Sequence, residues 1–276
     1  MAKTKVLISV KTYPALSGKY HELVCTAGFL EDGSWIRIYP VPFRFIDYKN
    51  QYKKWEWIEI DLKRNVRDFR PESFRPVNIE NQIKCIGKVG TDNYWQERKM
   101  FVLKNVYTNM TTLINKSKSD DTSLAVFKPT KIIDFIIEKT DREWDEKKLK
   151  KIYADMQQGN LFEPDKSQIK DLVKKVPYKF SYKFLSEDGK KRCLMIEDWE
   201  IGALYWNCLK EVNGDENAAC NLVRDKYFTE FLRDKDIYFF LGTTFQHHKT
   251  SLDPFVIIGV FYPPKEPQKQ QLSLFD

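Results

Sequence analysis

The chain has 276 residues, of which 42% are hydrophobic and 31% charged, and its formal net charge is +7. This length can hold one large domain or two small ones, and the composition is typical of a water-soluble globular protein. The five cysteines are odd in number and form no Cys-x-x-Cys pair, which indicates reduced thiols and argues against a zinc ribbon. No apolar run is long enough to span a bilayer and no signal-peptide core is present, so we expect a cytoplasmic protein.

The first 120 residues are predicted to form a small β domain. Runs rich in β-branched and aromatic residues alternate with Pro, Gly and Asp turn signals. The expected strands are Lys5–Val10, Glu22–Phe29, Trp35–Tyr39, Trp55–Leu62 and Gln82–Val89. Five short strands separated by turns indicate a small barrel or sandwich, and weak helical patterns follow over residues 94–118.

Two of these strands combine an aliphatic face with an aromatic and charged face, because side chains alternate across a strand. The residues of the aromatic face are Trp35, Arg37, Tyr39, Trp55 and Trp57. If this face is open, its rings could stack on nucleic-acid bases, with roughly 1–3 kcal/mol per base. The alternative is that a helix or a second domain covers the face and the tryptophans belong to a core.

A basic loop with two prolines follows the fourth strand. Its cations are Lys63, Arg64, Arg67, Arg70 and Arg75. Beside an open aromatic face, Arg64, Arg67 and Arg70 are expected to contact phosphates. Acidic residues are interspersed in the loop at positions 61, 68 and 72, so ion pairs within the loop are the alternative interpretation.

Residues 121–262 are predicted to form a second domain that mixes helices and strands, which makes the fold class α+β. The expected strands are Lys131–Lys139, Tyr178–Phe184, Arg192–Ile196, Ile237–Thr243 and Phe255–Tyr262. The expected helices are Arg142–Gln157, a long helix that Asp198 caps and that ends at Val212, and a further helix that ends near Arg233. In Tyr178–Phe184 the aromatic rings alternate with Lys179 and Lys183, which we expect to add to a nucleic-acid surface.

One acidic cluster is a candidate for catalysis, since the sequence lacks the glycine-rich phosphate-binding, dinucleotide-binding and Gly-x-Ser-x-Gly motifs. Glu197, Asp198 and Glu200 follow a predicted strand, and such carboxylates could bind Mg²⁺ in a metal-dependent nuclease. The alternative is a helix N-terminus, where Asp198 is the cap and the helix dipole favours the other acidic residues. Apart from this Mg²⁺, the sequence predicts neither a metal nor another cofactor.

A second candidate consists of His247 and His248, with Asp253 in the same polar loop. A role as a general acid or a phosphate contact is one interpretation. Zinc is weakly supported, because adjacent residues on extended backbone point to opposite faces and no cysteine is nearby. Cys25 and Cys85 are candidate nucleophiles, but both lie in predicted strands and are more simply interpreted as buried thiols.

Residues 263–276 are predicted to form a disordered tail that ends in an apolar cluster. Its first part is rich in Pro, Lys, Gln and Glu and cannot bury enough apolar surface to offset chain entropy. The segment Gln271-Leu272-Ser273-Leu274-Phe275 resembles the bacterial sliding-clamp-binding pentapeptide, Gln-Leu-(Ser/Asp)-Leu-Phe. This resemblance implies that Leu274 and Phe275 enter an apolar pocket of the clamp. The alternative is a final strand that docks on the domain.

A second resemblance concerns the segment Cys25-Thr26-Ala27-Gly28-Phe29 and the following Asp32-Gly33-Ser34-Trp35-Ile36-Arg37. These residues are similar to the start of the bacterial dual OB-domain proteins, although the helical pair over residues 198–233 departs from a plain second OB-fold. The resemblance implies an OB-like barrel over residues 1–120. It also implies a nucleic-acid-binding role in bacterial genome maintenance or phage conflict, and it supplies no catalytic residues.

Three hypotheses for the function follow. The first is a non-enzymatic accessory protein that binds single-stranded or distorted DNA and is recruited by the sliding clamp to replication, repair or phage defence. The second is the Mg²⁺-dependent nuclease, which cleavage of DNA would reveal. The third is an adaptor that binds the clamp without touching nucleic acid, which the absence of a DNA complex at low salt would reveal.

Overall fold

The structure is a computed structural model that describes residues 3–78, 83–159 and 172–267, with only the backbone described for 155–159. It is a mixed fold of helices and several sheets. The first half contains β1 Thr4–Lys11, β2 Ala15–Ser17, β3 His21–Phe29, β4 Trp35–Val41, β5 Glu56–Ile60, β6 Leu62–Arg64, β7 Ser73–Pro76, β8 Lys84–Lys88 and α1 Asp92–Val102, with 3₁₀ turns at Phe43–Phe45 and Tyr48–Asn50.

These strands form one sheet in the order β6-β7-β4-β3-β1-β5-β8, and β2 also pairs with β3. The register shifts between Ile8 and Val10 where β1 pairs with β3, and between Val24 and Thr26 where β3 pairs with β4. Such bulges bend a strand and increase its twist. The sheet curls into half a barrel, so the prediction of a barrel-like first domain is confirmed at this level.

One face of the curled sheet packs the first core, which consists mainly of aliphatic side chains. Its residues include Val6, Ile8, Val24, Ile36, Ile38, Ile58 and Ile60. Tyr52 closes this core, and its hydroxyl and that of Thr26 form a hydrogen bond of 2.6 Å, so no polar atom of this pair is left unsatisfied.

The second half contains β9 Val106–Tyr107, α2 Met110–Lys118, β10 Leu124–Phe127, β11 Lys131–Lys139, α3 Glu146–Gly159, β12 Tyr178–Leu185, β13 Lys191–Met195, α4 Trp199–Glu211, α5 Glu216–Arg224, α6 Phe231–Asp234, β14 Tyr238–Thr243 and β15 Phe255–Phe261. A π-helical segment, Asp225–Glu230, joins α5 to α6. One sheet has the order β15-β14-β10-β9 and the other the order β11-β12-β13. No helix in the described ranges is both long and apolar enough to cross a membrane.

The aromatic face of β12 forms the centre of the second core. Tyr178, Phe180, Tyr182 and Phe184 are all buried there, as the alternation predicted. Asp198 caps α4 and accepts a hydrogen bond from the backbone N–H of Glu200, also as predicted.

The division between the halves lies earlier than the sequence indicated. Met110 and Leu113 of α2 pack in the second core, so residues 105–120 belong with the second half rather than with the first. The weak helical periodicity of this region gave no sign of the core that it joins.

A third core joins the two halves. Leu7, Phe29 and Trp55, which point away from the first core, pack against Phe240 and Ile258 of the second half. The face that was predicted to be either open or covered is therefore largely covered, and the two halves share buried apolar surface.

The predicted tail begins later than expected. Pro263 is buried, and its carbonyl accepts a hydrogen bond of 2.9 Å from the N–H of Asp236. Lys265 Nζ donates to the carbonyl of Leu232 at 2.8 Å. Residues 263–265 therefore pack beside the end of α6, and Glu266 pairs with Lys99 of α1 at 2.6 Å. The pentapeptide at 271–275 lies outside the described residues.

Candidate functional site

A cleft of about 830 Å³ lies where the two halves meet. The first half contributes the segment after β1, parts of β3 and β4, and the basic loop between β6 and β7. The second half contributes β12, the segment that leads into α4, and the ends of β14 and β15. The backbone bridge between Thr12 and Asp198 ties the halves together at this cleft. Concave sites of this size are typical of ligand binding.

Positive charge predominates in the cleft. The lining cations are Lys19, Arg37, Arg67, Arg70, Arg75, Lys175 and Lys179, and the lining carboxylates are Asp68, Glu197 and Asp198. Two of these carboxylates already have cationic partners, because Asp68 pairs with Arg70 and Asp198 pairs with Lys54. The cleft therefore presents a net positive potential to an entering ligand.

Two arginines are fixed in the buried lining. Arg37 is 1% exposed, and its Nη1 donates to Ser123 Oγ at 2.7 Å and to Ser73 Oγ at 3.3 Å. Burial, and then the charge of Arg70, lower the pKa of Arg37. Arg70 donates to both carboxylate oxygens of Asp68, at 2.8 and 2.6 Å. Both guanidinium groups are thus held in place before a ligand arrives.

Three further cations are exposed at the cleft and unpaired. Within the described ranges, no carboxylate lies within 4.0 Å of the side-chain nitrogens of Lys19, Arg67 or Arg75. Exposed cations without a protein partner keep their full capacity to bind an anionic ligand.

Aromatic rings lie beside these cations. Tyr39 is 36% exposed and Phe245 is 53% exposed, and both line the cleft. Phe69 packs against Phe245 with ring centroids 5.3 Å apart, and the guanidinium of Arg70 lies 5.8 Å from the Phe245 ring. A large apolar ring that stays exposed next to cations offers a stacking surface.

Tyr13 forms part of the cleft wall and packs against α4. Its hydroxyl accepts a hydrogen bond of 2.9 Å from Trp206 Nε1 and donates one of 2.8 Å to the carbonyl of Lys174. Its ring lies directly on Gly202, where any Cβ atom would overlap the ring carbons. The glycine inside this helix therefore permits the close packing of Tyr13.

The predicted stacking face is not available as a whole, and this corrects the sequence interpretation. Trp35 packs edge-on against Phe240 at 5.5 Å, and Trp57 packs against Phe101 at 5.5 Å. Trp55 is buried, and the guanidinium of Arg98 covers its ring at 4.6 Å. The second half covers Trp35, α1 of the first half covers Trp57, and both cover Trp55. Only Tyr39 of the aromatic residues proposed for this face lines the cleft.

The predicted phosphate-binding cations divide into two groups. Arg37, Arg67, Arg70 and Lys179 line the cleft, although Lys179 is paired with Glu138 at 2.8 Å. Arg64 instead donates to the carbonyls of Arg70 at 2.9 Å and Ser73 at 3.1 Å, and so holds the basic loop in shape. Lys183 is exposed on β12 outside the cleft lining.

The acidic cluster is arranged as a helix N-terminus rather than as a metal site. Lys54 Nζ lies 2.8 Å from Asp198 and 3.0 Å from Glu200, so a cation of the protein already occupies the space between them. Glu197 has no contact with Lys54 within 4.0 Å and lines the cleft together with Asp198. No group of three His, Cys, Asp or Glu side chains is placed to hold a metal in the part of the chain that the structure describes.

The histidines do not form a joint site. His248 is fully buried, with Nδ1 2.7 Å from Thr243 Oγ1 and Nε2 3.3 Å from Asp120. Burial lowers the pKa of His248, and Asp120 offsets only part of this effect. His247 is exposed and Asp253 pairs with Arg192 at 3.3 Å, so the three predicted partners face different surroundings.

The two candidate nucleophiles differ in their surroundings, and only Cys85 departs from the expectation of a buried thiol. Cys25 lines the cleft, and burial raises the pKa of its thiol, which disfavours the reactive thiolate. Cys85 is exposed, although it was predicted to be buried, because β8 is an edge strand of the curled sheet.

Sequence reasoning missed several cleft residues, among them Tyr13, Lys19, Lys175 and Phe245. Lys19 and Lys175 lie more than 150 positions apart, so no local pattern joins them. Phe245 could have been identified from the sequence, because it is a large apolar residue in a polar loop, two positions before His247.

Two family models together cover almost the whole chain. The first, domain of unknown function DUF8758, matches residues 2–104, and the second, domain of unknown function DUF8757, matches residues 106–276. The second match spans more than half of the chain. The chain belongs to the DUF8757 family. The border between the two matches coincides with the structural division near residue 105, and a search of curated proteins gave no match.

Proposed function

We propose that this DUF8757 protein is an accessory protein that binds single-stranded or locally distorted DNA in the cleft between its two halves. The observation that carries the proposal is the set of unpaired cations and exposed rings along one concave surface of about 830 Å³. Proteins that bind single strands combine a positively charged groove with rings on which bases stack.

Different residues of the cleft would contact the phosphates and the bases of the strand. Lys19, Arg67 and Arg75 are exposed at the cleft and would contact phosphates. Phe245 and Tyr39 would stack on bases, with roughly 1–3 kcal/mol for each base. A regular duplex keeps its bases inside the helix, so contacts of this kind favour an unpaired or distorted strand.

The proposal is tested by measuring the affinity for a fluorescent oligothymidine with a double variant, Arg67→Ala/Arg75→Ala. Loss of two phosphate contacts should weaken binding by about tenfold at low salt. The matched control is Lys84→Ala/Lys88→Ala, which removes two exposed charges from β8, outside the cleft lining. Equal weakening by both double variants would show that binding depends on net charge alone and would contradict a role for the cleft.

Recruitment by the sliding clamp is a separate part of the proposal, and the Gln271–Phe275 pentapeptide supports it. A short apolar peptide is expected to bind with roughly micromolar affinity. Deletion of residues 271–276 should abolish retention on immobilised bacterial clamp while leaving DNA affinity unchanged. If the truncated and full chains are retained equally, the peptide is not the docking element.

The OB-like character of the first half remains part of the proposal, and the curled, bulged sheet supports it. A role in genome maintenance or phage defence rests on the same resemblance. The nuclease hypothesis loses its support, because Lys54 neutralises the acidic cluster. The adaptor hypothesis would be favoured if the full chain bound clamp but formed no DNA complex at low salt.

A further inference from the structure

The apolar part of the cleft contains one carboxylate that has no partner among the described residues. Ile196, Ile201 and Ile258 line it and are buried. Glu197 lies among them, between Ile196 and the cap residue Asp198 in the chain. A polar group between apolar walls fixes the orientation of a ligand and provides specificity.

Two backbone hydrogen bonds hold Glu197 in position. Its N–H donates to the carbonyl of Ile257 at 2.8 Å, and its carbonyl accepts from the N–H of Tyr13 at 2.9 Å. Glu197 and the next residue, Asp198, both line the cleft, but the Asp198 carboxylate is bound by Lys54 at 2.8 Å. Of these two carboxylates, only that of Glu197 is left for a ligand among the described residues.

The Glu197 carboxylate has no partner of its own in the ranges that the structure describes. The guanidinium of Arg37, which also lines the cleft, directs its hydrogen bonds to Ser73 and Ser123. Glu197 is half-buried, and burial raises the pKa of its carboxyl group because no cation or donor of the described residues offsets the lost hydration. A partly desolvated carboxylate without a hydrogen-bond partner lowers the stability of the fold. A ligand that donates N–H hydrogen bonds to it would restore that stability.

We infer that Glu197 recognises the Watson–Crick edge of a guanine base that enters the cleft. This inference rests on the proposed function. Guanine presents its N1–H and N2–H₂ donors side by side, and a carboxylate can accept both with its two oxygens. Adenine and cytosine each place an acceptor beside their amine, and thymine flanks its single N–H with two carbonyls. These acceptors repel a carboxylate, so guanine is the best match.

The rest of the cleft suits the same ligand. The isoleucine walls cover the apolar faces of the base, while Arg67 and Arg75 remain at the phosphates. Glu197 thus supplies base selectivity and the arginines supply affinity that is independent of sequence. These two contributions can be separated by experiment.

The experiment uses the full chain and four oligothymidines that carry one central guanine, adenine, cytosine or thymine. Fluorescence anisotropy should show about tenfold tighter binding of the guanine oligonucleotide, since a good bidentate pair gives discrimination of this order. Glu197→Gln should remove this preference, because an amide replaces one acceptor by a donor. The salt dependence of binding should stay unchanged in this variant.

Guanosine monophosphate is the second probe, and it distinguishes the source of the base. If it displaces the guanine oligonucleotide with an affinity equal to that of the strand, the ligand is a free nucleotide. If it competes only weakly, the base is read as part of a strand. In both cases Glu197→Gln should lower the affinity for the guanine ligand.

Failure of this inference differs from failure of the proposed function. Equal binding of all four oligonucleotides, or a guanine preference that persists in Glu197→Gln, would overturn the inference while DNA binding stands. If neither the oligonucleotides nor guanosine monophosphate bind, both proposals fail. The variant should fold at least as well as the wild type, because it loses a half-buried carboxylate that has no partner among the described residues, and thermal unfolding checks this.

Discussion

His248 shows at the residue scale how burial sets the charge of a single side chain near the cleft. Its imidazole is fully buried between Thr243 and Asp120. Desolvation disfavours the protonated ring and lowers its pKa below the ordinary value of 6.5, while the arginines at positions 70 and 37 act in the same direction. The neutral ring is therefore the form that the fold accommodates.

The pH dependence of stability follows with a definite sign. Because the folded pKa of His248 is lower than the unfolded pKa, its contribution is present above pH 6.5 and is lost as the pH falls through the folded pKa. In urea unfolding, His248→Gln should be less stable than the wild type at pH 7.5, and the difference should shrink at pH 5. The exposed His247→Gln is the control and should differ little at either pH. A constant difference for His248→Gln would contradict this assignment.

At the element scale, the close packing of Tyr13 on α4 depends on one glycine, Gly202. Alanine is ordinarily preferred to glycine inside a helix by roughly 0.5–1 kcal/mol. At Gly202 the added methyl group would overlap the Tyr13 ring, so the ring or the helix must move. Close packing therefore outweighs helix propensity at this position.

Gly202→Ala is accordingly expected to destabilise the fold by roughly 1–3 kcal/mol, the usual cost of overpacking. The free energy of unfolding from urea denaturation measures this change. In a Tyr13→Ala background the same substitution should be neutral or stabilising, because the overlap is gone and only helix propensity remains. Additive effects in this double-mutant cycle would show that the two residues do not interact.

The success of sequence reasoning also differs between elements. Period-two alternation placed the aromatic residues of β12 on the buried face, and Asp198 was identifiable as a cap from its position before an amphipathic stripe. The face that carries Trp35, Trp55 and Trp57 could not be assigned in the same way. Both faces of that sheet are covered. A strand pattern alone reveals neither the packing of Phe101 on Trp57 nor that of Phe240, more than 180 residues away, on Trp35 and Trp55.

At the scale of the whole molecule, a buried ion pair joins the two halves beside the cleft. Lys54 comes from the first half, and Asp198 and Glu200 come from the second. Burial pulls the pKa of Lys54 down, but attraction to the two carboxylates outweighs it and raises the pKa above its ordinary value. The protonated lysine therefore stabilises the contact between the halves.

Lys54→Met should destabilise the fold by about 3–5 kcal/mol, because it leaves the fully buried Asp198 without its cation. Chemical denaturation gives this value directly. The neighbouring exposed Lys53→Met is the matched control and should cost little. Adding Asp198→Asn to Lys54→Met should restore part of the lost stability, since asparagine still caps α4 without a buried charge. If Lys54→Met costs no more than its control, the pair does not hold the halves together.

The cleft itself was only partly predictable. The basic loop pointed to Arg67 and Arg70, since a cluster of cations is visible in the sequence. Glu197 was singled out as a possible metal ligand, but its position opposite Tyr13 depends on the pairing of β15 with the segment before α4. A site between two halves is formed by long-range contacts, and local periodicity carries no information about them.

The salt dependence of DNA binding tests the central claim most directly. For a single strand, the slope of log K against log salt is about −0.7 for each phosphate that is neutralised. We expect Arg67→Ala/Arg75→Ala to make the slope shallower by about 1.4, and Lys84→Ala/Lys88→Ala to leave it unchanged. Identical slopes for the wild type and the cleft variant would contradict binding in the cleft.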